Sequence, residues 1–456
     1  MTLYPPLAPR TQDGDAEKGP SLLDLKYAQP SARVPLYQRL RQHGLVYDER
    51  SKCWLCAHVS GLTSILGDGR FASGRPSGSG TPPIGPGKAW GEHSAPGSAL
   101  REMKASIEQI LARQLLVKDG AAHTRLQGVM NPVLRQMGHH MSASIEQRVE
   151  VLLDAAAPTG QWDVMQELAL PLVLGSMVHL LLGEKDLDSD SLHRFQAWSH
   201  ALASVTNGFF SHENMQRVLL MREAFYVLLA HKRCAPGHDL LSIFAADARW
   251  QDDDELVANA MMLLAAGSVT TTKAVTHSLW FLLQHAHQWE YLRAALLRYA
   301  DPRAQAHLLK PVVERLLCRI TPTRYIVRWA TQDIAIEGKL IRSGQQVYVF
   351  LEGANDGLLQ QEILSDTATS DAAVQESCHL LRRMPMPHFT FGFSSSPHYC
   401  PGAPLARMIL QHTLLALLLR FPHLRLAPVA QRQWGKNANL GGLVALPVVY
   451  TPERGA

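Results

Sequence analysis

The chain has 456 residues, of which 46% are hydrophobic and 18% are charged, and its formal net charge is +4 at pH 7. This composition is typical of a globular protein with a large core and excludes a largely disordered chain. Lysine and arginine residues are scattered, and no dense basic stripe is interleaved with aromatic residues, which argues against nucleic-acid binding.

The cysteine content and the N-terminus indicate the compartment. Six cysteines are spread over the chain, which suits a reducing cytoplasm better than a disulfide scaffold. The first residues include acids and have no apolar core, so we expect neither a signal peptide nor an N-terminal membrane anchor. No apolar run of about 18 residues or more is present, so we expect no membrane span.

The N-terminal part is predicted to contain a lead-in and then short elements. Residues 1–32 are expected to be a disordered lead-in, and residues 33–456 to form a single domain. A short helix is predicted at 35–42 and a second near 59–67. Between them, two β-rich stretches around a charged turn predict a hairpin at 45–58.

Helical periodicity dominates the middle of the chain after a long loop. The stretch 73–98 is rich in proline, glycine and serine, and a loop of that length is usually disordered or functional. The segment 253–285 is the longest helix, and apolar residues surround its middle, which is typical of a helix inside a core. The predicted helices are 101–117, 122–137, 142–156, 164–182, 190–205, 213–231, 239–247, 253–285, 288–299 and 305–319.

The C-terminal part mixes small strands with one strong helix. Period-two alternation around a glycine turn predicts antiparallel strands over 324–351, and 356–390 is predicted to be irregular. A strongly apolar helix is predicted at 402–421, with strand-like pieces up to residue 450. The expected fold class is therefore mainly α with small antiparallel β-sheets, built around a long central buried helix.

One cysteine lies in a setting that favours a metal-bound thiolate. Residues 388–410 read HFTFGFSSSPHYCPGAPLARMIL, and Cys400 directly precedes the predicted helix. Free backbone N–H groups and the positive helix end favour a thiolate there, and Phe391 and Phe393 offer apolar cover. A lone shielded sulfur ligand suits haem iron, although a plain buried cysteine is the alternative for Cys400 taken alone.

This segment resembles the haem-ligand loop of the cytochrome P450 family, in its bacterial, soluble type, whose pattern is roughly F-x-x-G-x-H/R-x-C-x-G-x-x-L-A-R. The residues that fit are Cys400, His398, Gly402 and Leu405-Ala406-Arg407. The resemblance implies the cytochrome P450 fold with haem b inside. It also implies iron bound by Cys400 and the cofactor bordered by Phe393 and Gly402.

Two more segments resemble the family's haem-binding regions. Residues 119–126 (DGAAHTRL) resemble its haem-facing helix start, and 328–344 resemble its R-x-A-x-x-D strand pair. The resemblance implies that His123, Arg328 and His398 bind the haem propionates. Each residue alone could equally be a surface charge or helix cap. Together they favour the propionate role, since buried carboxylates need charge-assisted hydrogen bonds.

Residues 265–272 (AAGSVTTT) resemble the family's oxygen-facing A-G-x-acid-T helix. This implies that Ala266, Gly267 and Thr270 lie over the haem, where the small residues leave room for O2 and the hydroxyl relays protons. Back-bonding within the helix is the alternative for Thr270. Val269 stands where the family has Asp or Glu, so the carboxylate expected to deliver protons is missing.

Other departures weaken the resemblance around the haem. Arg315-Leu316-Leu317-Cys318 occupy the place of the family's E-x-x-R pair, so both members are missing. Glu314 and Arg319 lie beside those positions and could pair only with a local helix shift. Ser394-Ser395-Ser396 stand where glycine is usual, which limits left-handed backbone conformations.

A second cysteine motif is discounted. Cys53 and Cys56 form a lone C-x-x-C, and zinc binding needs a second pair at suitable spacing. We therefore interpret both as packing residues of a strand.

The resemblance implies a monooxygenase that activates O2 with electrons from a ferredoxin or similar donor. Its substrate would be a small, largely apolar or carrier-bound metabolite of natural-product biosynthesis, an expectation that rests on family analogy. Val269 motivates one alternative, a haem-thiolate enzyme that catalyses coupling, desaturation or dehydration without inserting oxygen. The lost E-x-x-R pair motivates another, a catalytically weak haem-domain partner protein. We expect a cytoplasmic monomer without nucleic-acid or membrane partners.

Overall fold

A computed structural model of the chain describes residues 19–75, 98–183, 188–284, 286–366, 390–395, 397–428, 433–434, 439 and 442–450. Helices make up most of this part. They are α1 (Leu22–Tyr27), α2 (Pro30–His43), α3 (Val59–Gly67), α4 (Ser98–Arg113), α5 (Gly120–His140), α6 (Ser142–Ala156), α7 (Leu170–Leu182), α8 (Ser189–Thr206), α9 (His212–Cys234), α10 (Leu240–Ala246), α11 (Asp253–Gln284), α12 (Ala286–Leu296), α13 (Pro302–Ile320), α14 (Leu351–Asp366) and α15 (Ala403–Arg420). A π-helical turn, Val164–Ala169, leads into α7.

The strands form small sheets at the periphery. They are β1 (Val46–Asp48), β2 (Cys53–Cys56), β3 (Phe71–Ala72), β4 (Gln161–Asp163), β5 (Ile326–Ala330), β6 (Ile334–Ile336), β7 (Lys339–Ile341), β8 (Gln346–Val349), β9 (Arg425–Leu426), β10 (Gln433–Trp434), β11 (Leu443–Ala445) and β12 (Pro447–Val449). The largest sheet has the order β1-β2-β8-β5-β3, and the others are β4-β12-β9, β10-β11 and β6-β7. Pairing is antiparallel as predicted, except that β2 and β8, which are remote in sequence, pair in parallel.

The long helix α11 is the centre of the main hydrophobic core. Helices α7, α8, α9 and α15 pack around it, so apolar residues are buried on nearly all its sides. Its first turn carries Asp253, Asp254 and Glu255, whose negative charges interact favourably with the positive end of the helix dipole. The predicted central buried helix at 253–285, the hairpin at 45–58 and the predicted helices between 101 and 319 are all confirmed.

The apolar segment Val164–Leu182 is long and apolar enough to cross a membrane if only its composition is considered. Most of this segment is buried inside the protein, where α7 packs against α11. Its apolar character is therefore explained by the core that it helps to form.

Residues 22–32 do not belong to a disordered lead-in, so that prediction is wrong for this part of 1–32. Leu22 and Leu25 are fully buried against the largest sheet, and Ser21 caps α1 by accepting the Asp24 N–H. Folding this short helix costs conformational entropy. The burial of two leucines and the capping box offset that cost. Residues 1–18 lie outside the described part of the chain.

The predicted irregular segment 356–390 is wrong at its start, because α14 continues to Asp366. Two glycines in this helix allow α2 to approach. A Cβ at Gly353 would lie 2.9 Å from the Tyr37 ring, and one at Gly357 would lie 3.2 Å from Arg41. These glycines thus allow α14 to pack closely against α2. Residues 367–389, like most of the predicted loop at 73–98, lie outside the described residues.

Cys53 and Cys56 lie in β2 with their side chains in different cores. Cys53 packs in the cluster that contains Tyr37 and Tyr348, whereas Cys56 packs in the cluster that contains Ile65. Burial raises the pKa of each thiol to about 12. The structure thus supports the interpretation of both as packing residues.

A buried charge cluster joins α1 and α2 to the helix that follows the largest sheet. Arg324, only 1% exposed, donates to the Glu352 carboxylate at 2.8 Å and to the backbone carbonyls of Leu25 and Lys26. Tyr37 donates to the same carboxylate at 2.8 Å, and Arg33 lies 3.6 Å from it. The neighbouring guanidinium groups hold the pKa of Glu352 below its usual range despite burial.

We expect Glu352→Gln to lower the free energy of unfolding by about 3 kcal/mol, because it leaves the Arg324 guanidinium buried without a counter-ion. Urea unfolding followed by circular dichroism measures the change. Glu49→Gln, which breaks the exposed pair between Glu49 and Lys52, is the matched control and should cause no measurable change. Equal effects from the two substitutions would contradict the assignment of the cluster as a structural tie.

The loop before α15 contains a strained residue. The 3₁₀ helix Phe391–Phe393 ends at Ser394, whose φ of 61° and ψ of −160° fall in a region almost confined to glycine. Among the described residues its buried hydroxyl also has no hydrogen-bond partner. The sequence predicted that serine here would limit the backbone, yet the loop adopts the glycine-like conformation with a serine in place.

Ser394→Gly should raise the free energy of unfolding by about 1–2 kcal/mol, because it removes the Cβ responsible for the strain. Ser394→Ala removes the hydroxyl but keeps the Cβ, so its gain should be smaller. Thermal and urea unfolding of the three proteins separate the two contributions. The strain assignment is wrong if alanine stabilises the protein as much as glycine does.

Candidate functional site

Cys400 lies at the entrance of α15, where the sequence predicted a thiolate ligand. Its N–H donates to the Phe393 carbonyl at 3.0 Å, which closes the loop onto the 3₁₀ helix. The Ala403 N–H donates to the Cys400 carbonyl at 3.3 Å, and the backbone N–H groups of Gly402 and Ala403 lie close enough to the sulfur to favour its thiolate form. Burial raises the pKa of the thiol, and these amides with the Arg407 guanidinium lower it only in part. A metal cation would supply the missing charge that favours the thiolate.

The start of the cysteine loop is tied to the end of α13 by one amide side chain. The Oδ1 of Asn355 accepts the Phe391 N–H at 2.8 Å, and its Nδ2 donates to the hydroxyls of Thr321 and Thr390 at 2.9 Å each. Asn355 is fully buried in α14. Three backbone segments are therefore held in register by one residue that sequence analysis did not assign to the site.

A second tie replaces the missing E-x-x-R pair. Arg407 of α15 donates through Nη2 to Glu314 of α13 at 3.1 Å and also bonds to it through Nε. The same guanidinium lies 4.5 Å above the Phe393 ring and donates to the Tyr399 hydroxyl at 3.0 Å. Glu314 thus braces the cysteine loop through Arg407, a residue that the sequence pattern contained but to which no such role was given.

The pairing of Glu314 with Arg319 is not formed. Arg319 instead lies 3.7 Å from the Asp356 carboxylate. At the family's pair positions, Arg315 and Cys318 are both buried, and the Cys318 thiol faces the Asn355 carbonyl at 3.7 Å. The bracing therefore runs between helices, and no local helix shift is needed.

His123 and His398 come together as predicted, with their ring centroids 4.0 Å apart. The Nε2 of His398 lies 3.1 Å from an Asp119 oxygen and 3.0 Å from the Ser73 hydroxyl. Burial, followed by the proximity of His398, lowers the pKa of His123 to about 4. Asp119 at the N-cap of α5 and Ser73 were not identified from sequence, since a lone acid before a helix is usually read as a cap.

Arg328 is buried in β5, and its guanidinium donates to the Val327 carbonyl at 3.0 Å. Burial lowers the pKa of Arg328 to about 10, and Asp119 opposes this shift. No carboxylate in the described part of the chain forms an ion pair with it. Buried guanidinium groups are normally paired. The Arg328, His123 and His398 group therefore fits the two propionates of a haem.

The middle of α11 is open on one side although the helix is otherwise buried. Ala266 is exposed, whereas Leu264 and Ala265 before it are buried. Thr270, one turn further on, is partly exposed, and its hydroxyl donates to the Ala266 carbonyl at 2.7 Å. This is the back-bonding that the sequence left open as an alternative. Because Ala266 is exposed within an otherwise buried helix, this side of α11 is accessible and leaves room for a cofactor.

Gly267 and Val269 differ from Ala266 in their surroundings. A Cβ at Gly267 would lie 2.5 Å from the Met177 Cε, so this glycine lets α7 approach α11 and does not provide open space. Val269 is partly exposed and places an apolar side chain beside Thr270. This part of α11 thus has the predicted small residue and hydroxyl, without the carboxylate.

The donor set also limits the kind of metal. The described residues contain no group of three or more His, Cys, Asp or Glu side chains that could hold a metal ion. A metal at Cys400 would therefore need most of its ligands from a cofactor, which a porphyrin supplies. The lone sulfur, the three propionate candidates and the open face of α11 all fit haem.

Comparisons with known proteins agree with this geometry. No protein-family model matches the sequence. The chain is 29% identical over 344 residues to the polyketide biosynthesis cytochrome P450 PksS of Bacillus subtilis (strain 168), covering 73% of this chain and 77% of PksS. It is 28% identical over 438 residues to nocardicin C N-oxygenase of Nocardia uniformis subsp. tsuyamanensis, covering 94% and 95%. It is 29% identical over 469 residues to the cytochrome P450 monooxygenase PikC of Streptomyces venezuelae, covering 98% of each.

Solved structures share the fold. P450BioI, in complex with an acyl carrier protein ligated to hexadec-9Z-enoic acid, matches with a TM-score of 0.73 and 22% identity over 92% of this chain and 98% of that chain. The structure of PksS matches with a TM-score of 0.72 and 23% identity over 93% and 99%. The chain therefore belongs to the cytochrome P450 family of haem-thiolate oxidoreductases.

Proposed function

We propose that the chain is a monooxygenase in natural-product biosynthesis, with haem b bound through the Cys400 thiolate. The observation that carries this proposal is the position of the Cys400 sulfur at the start of α15, where Gly402 lies against it and the loop is closed by the bond from the Cys400 N–H to the Phe393 carbonyl. Haem with a thiolate ligand supplies oxygen activation, because the sulfur donates electron density that favours O–O cleavage.

The chain's own residues would bind and orient the cofactor. Arg328, His123 and His398 would hold the propionates, while Phe393 and Gly402 border the sulfur. Asp119 lies close to the same histidines, so it would compete with a propionate for His398 and fix the orientation of that ring. A bound propionate would also provide the buried Arg328 guanidinium with a counter-ion.

On the opposite side of the haem, α11 would border the substrate and oxygen. Ala266 leaves space beside the helix, and the Thr270 hydroxyl can accept a proton while donating to the Ala266 carbonyl. Val269 adds an apolar side chain to this surface of α11, which suits a largely apolar substrate and excludes water. These residues therefore act by shaping a dry pocket and by handling protons.

The relatives support the substrate class. PksS is named for polyketide biosynthesis, nocardicin C N-oxygenase for oxygenation of nocardicin C, and P450BioI was solved with an acyl carrier protein. We propose a small, largely apolar metabolite, free or tethered to a carrier protein, and a ferredoxin-type electron donor. We further propose that the protein acts as a cytoplasmic monomer, without membrane or nucleic-acid partners.

The purified protein, reduced and exposed to carbon monoxide, should show the red-shifted band that marks a thiolate ligand. Cys400→Ser should abolish this band, because the substituted hydroxyl is a poor ligand for ferrous haem. Cys234→Ser, at an exposed cysteine, is the matched control and should leave the spectrum unchanged.

Two outcomes would contradict the assignment. If the wild-type protein binds no haem when haem is supplied and the unbound haem is removed, haem-based activity is excluded. The catalytically weak haem-domain partner protein would then be the remaining explanation. A red-shifted band that persists in Cys400→Ser would place the ligand elsewhere.

Val269 favours a second candidate function, a haem-thiolate enzyme that couples, desaturates or dehydrates its substrate without inserting oxygen. Reductase-driven turnover under ¹⁸O-labelled O2 distinguishes the two functions. Candidate carrier-bound acyl chains and free polyketides serve as the probes. We expect one labelled oxygen atom in the product. A product that forms with unlabelled oxygen only, or with a new C–C or C=C bond, would support the second function.

A further inference from the structure

Lys273 lies on the same face of α11 as the proposed oxygen-side residues. An α-helix turns by about 100° per residue, so positions 266, 270, 273 and 277 share one face. Ala266 and Thr270 are the partly open residues of this face, and Lys273 follows Thr270 by one turn. Ser268 points to the other side, where its hydroxyl donates to the Leu264 carbonyl at 2.6 Å.

The Lys273 side chain is enclosed and is held by one backbone carbonyl. The residue is 5% exposed, and its Nζ donates to the Pro322 carbonyl at 2.7 Å. A Cβ at Gly442 would lie 3.3 Å from the Lys273 Cε, so the chain before β11 closes the other side. A buried lysine without a carboxylate partner is rare in folded proteins.

The charged groups around Lys273 do not include a direct counter-ion among the described residues. Glu352 is the acid that acts on it, and Arg324 and Arg33 of the same cluster oppose that effect. His277, on the next turn, accepts the Leu443 N–H at 3.1 Å through Nε2, and burial with the proximity of Lys273 keeps its pKa far below the usual range. His277 is therefore neutral, and Lys273 is the titratable group of this face.

Near neutral pH, Lys273 exists in both its protonated and its neutral form. Burial lowers the pKa of its ammonium group to about 7. A proton donor works best when its pKa lies close to the working pH. The family's carboxylate is replaced by Val269, so α11 offers no acid beside Thr270.

We propose that Lys273 supplies, through the Thr270 hydroxyl, the protons that the missing carboxylate would otherwise deliver to the oxygen side of the haem. This inference rests on the proposed monooxygenase function. An Nζ–H bond of the Lys273 ammonium group would break, a water would carry the proton to the Thr270 oxygen, and the hydroxyl would release its own proton toward the oxygen side of the haem. The neutral amine then regains a proton from solvent. Lys273 undergoes no redox change and acts as a positioning residue through Thr270.

The titration of Lys273 can be measured without activity. Between about pH 7 and pH 10 the unfolded chain binds this proton and the folded chain does not. The wild type should therefore gain stability relative to Lys273→Met as pH rises through this window, by up to tenfold in the folding equilibrium constant per pH unit. Urea unfolding at several pH values gives this difference. A difference that does not change with pH would show that Lys273 stays charged, which overturns the proposal.

Proton delivery can be measured with cumene hydroperoxide, which needs no natural substrate or redox partner. Heterolysis of its O–O bond sends both electrons and a proton to the cumyloxy oxygen and gives cumyl alcohol. Homolysis gives the cumyloxyl radical, which fragments to acetophenone. For the haem-loaded wild type, the ratio of alcohol to ketone should fall as pH rises through about 7. In Lys273→Met the ratio should be about tenfold lower at pH 6 and independent of pH.

Two variants separate proton supply from structure. Lys273→Arg can keep a hydrogen bond to Pro322 but does not release a proton near neutrality. Its ratio of alcohol to ketone should therefore be as independent of pH as that of Lys273→Met. Lys310→Met, at an exposed lysine of α13, should behave like the wild type. A wild-type pH profile in Lys273→Arg or Lys273→Met would overturn the proposal and leave the proposed function intact. Failure of the wild type to show the thiolate band would overturn both.

Discussion

The position of the Cys400 loop depends on the hydrogen bonds of one buried amide, that of Asn355. It joins α14 to the end of α13 and to the first residues of the loop, so the sulfur is placed relative to two helices that do not contain it. Net hydrogen bonds contribute about 1 kcal/mol each, but loss of a buried partner costs more because the remaining groups lose solvent as well. The loop therefore tolerates a strained serine at position 394, since its ends are fixed independently.

The second constraint on this loop is the contact of Arg407 with Glu314 and with the Phe393 ring. A guanidinium group can bond an acid in its plane and stack on a ring with its face, so one residue restrains both the helix and the loop. This arrangement explains how the chain keeps the cysteine in place without the family's E-x-x-R pair. The loss of that pair is therefore weak support for a merely structural role of the protein.

Much of the fold could be predicted, because helical and strand periodicity are local signals. The central helix and the hairpin at 45–58 follow directly from them. The site was predictable only where a short motif carried it, as for Cys400. Arg407 and Glu314 are 93 residues apart, so their pairing has no local signal. The extension of α14 to Asp366 was not predicted, since packing against α2 outweighs the weak helix propensity of Gly353 and Gly357.

Two buried groups of charges set the electrostatics of the interior, and they are coupled. Glu352 is outnumbered by Arg324 and Arg33, so this cluster carries a net positive charge in the folded protein. Arg324 and Arg33 add to burial in lowering the pKa of Lys273, whereas Glu352 raises it. The tie that fixes the N-terminal helices thus also keeps Lys273 near its point of proton release. Removal of the Glu352 charge would lower the pKa of Lys273 further, because only the repulsive partners would remain. In the proposed function, the structural cluster and the proton supply are therefore a single electrostatic system.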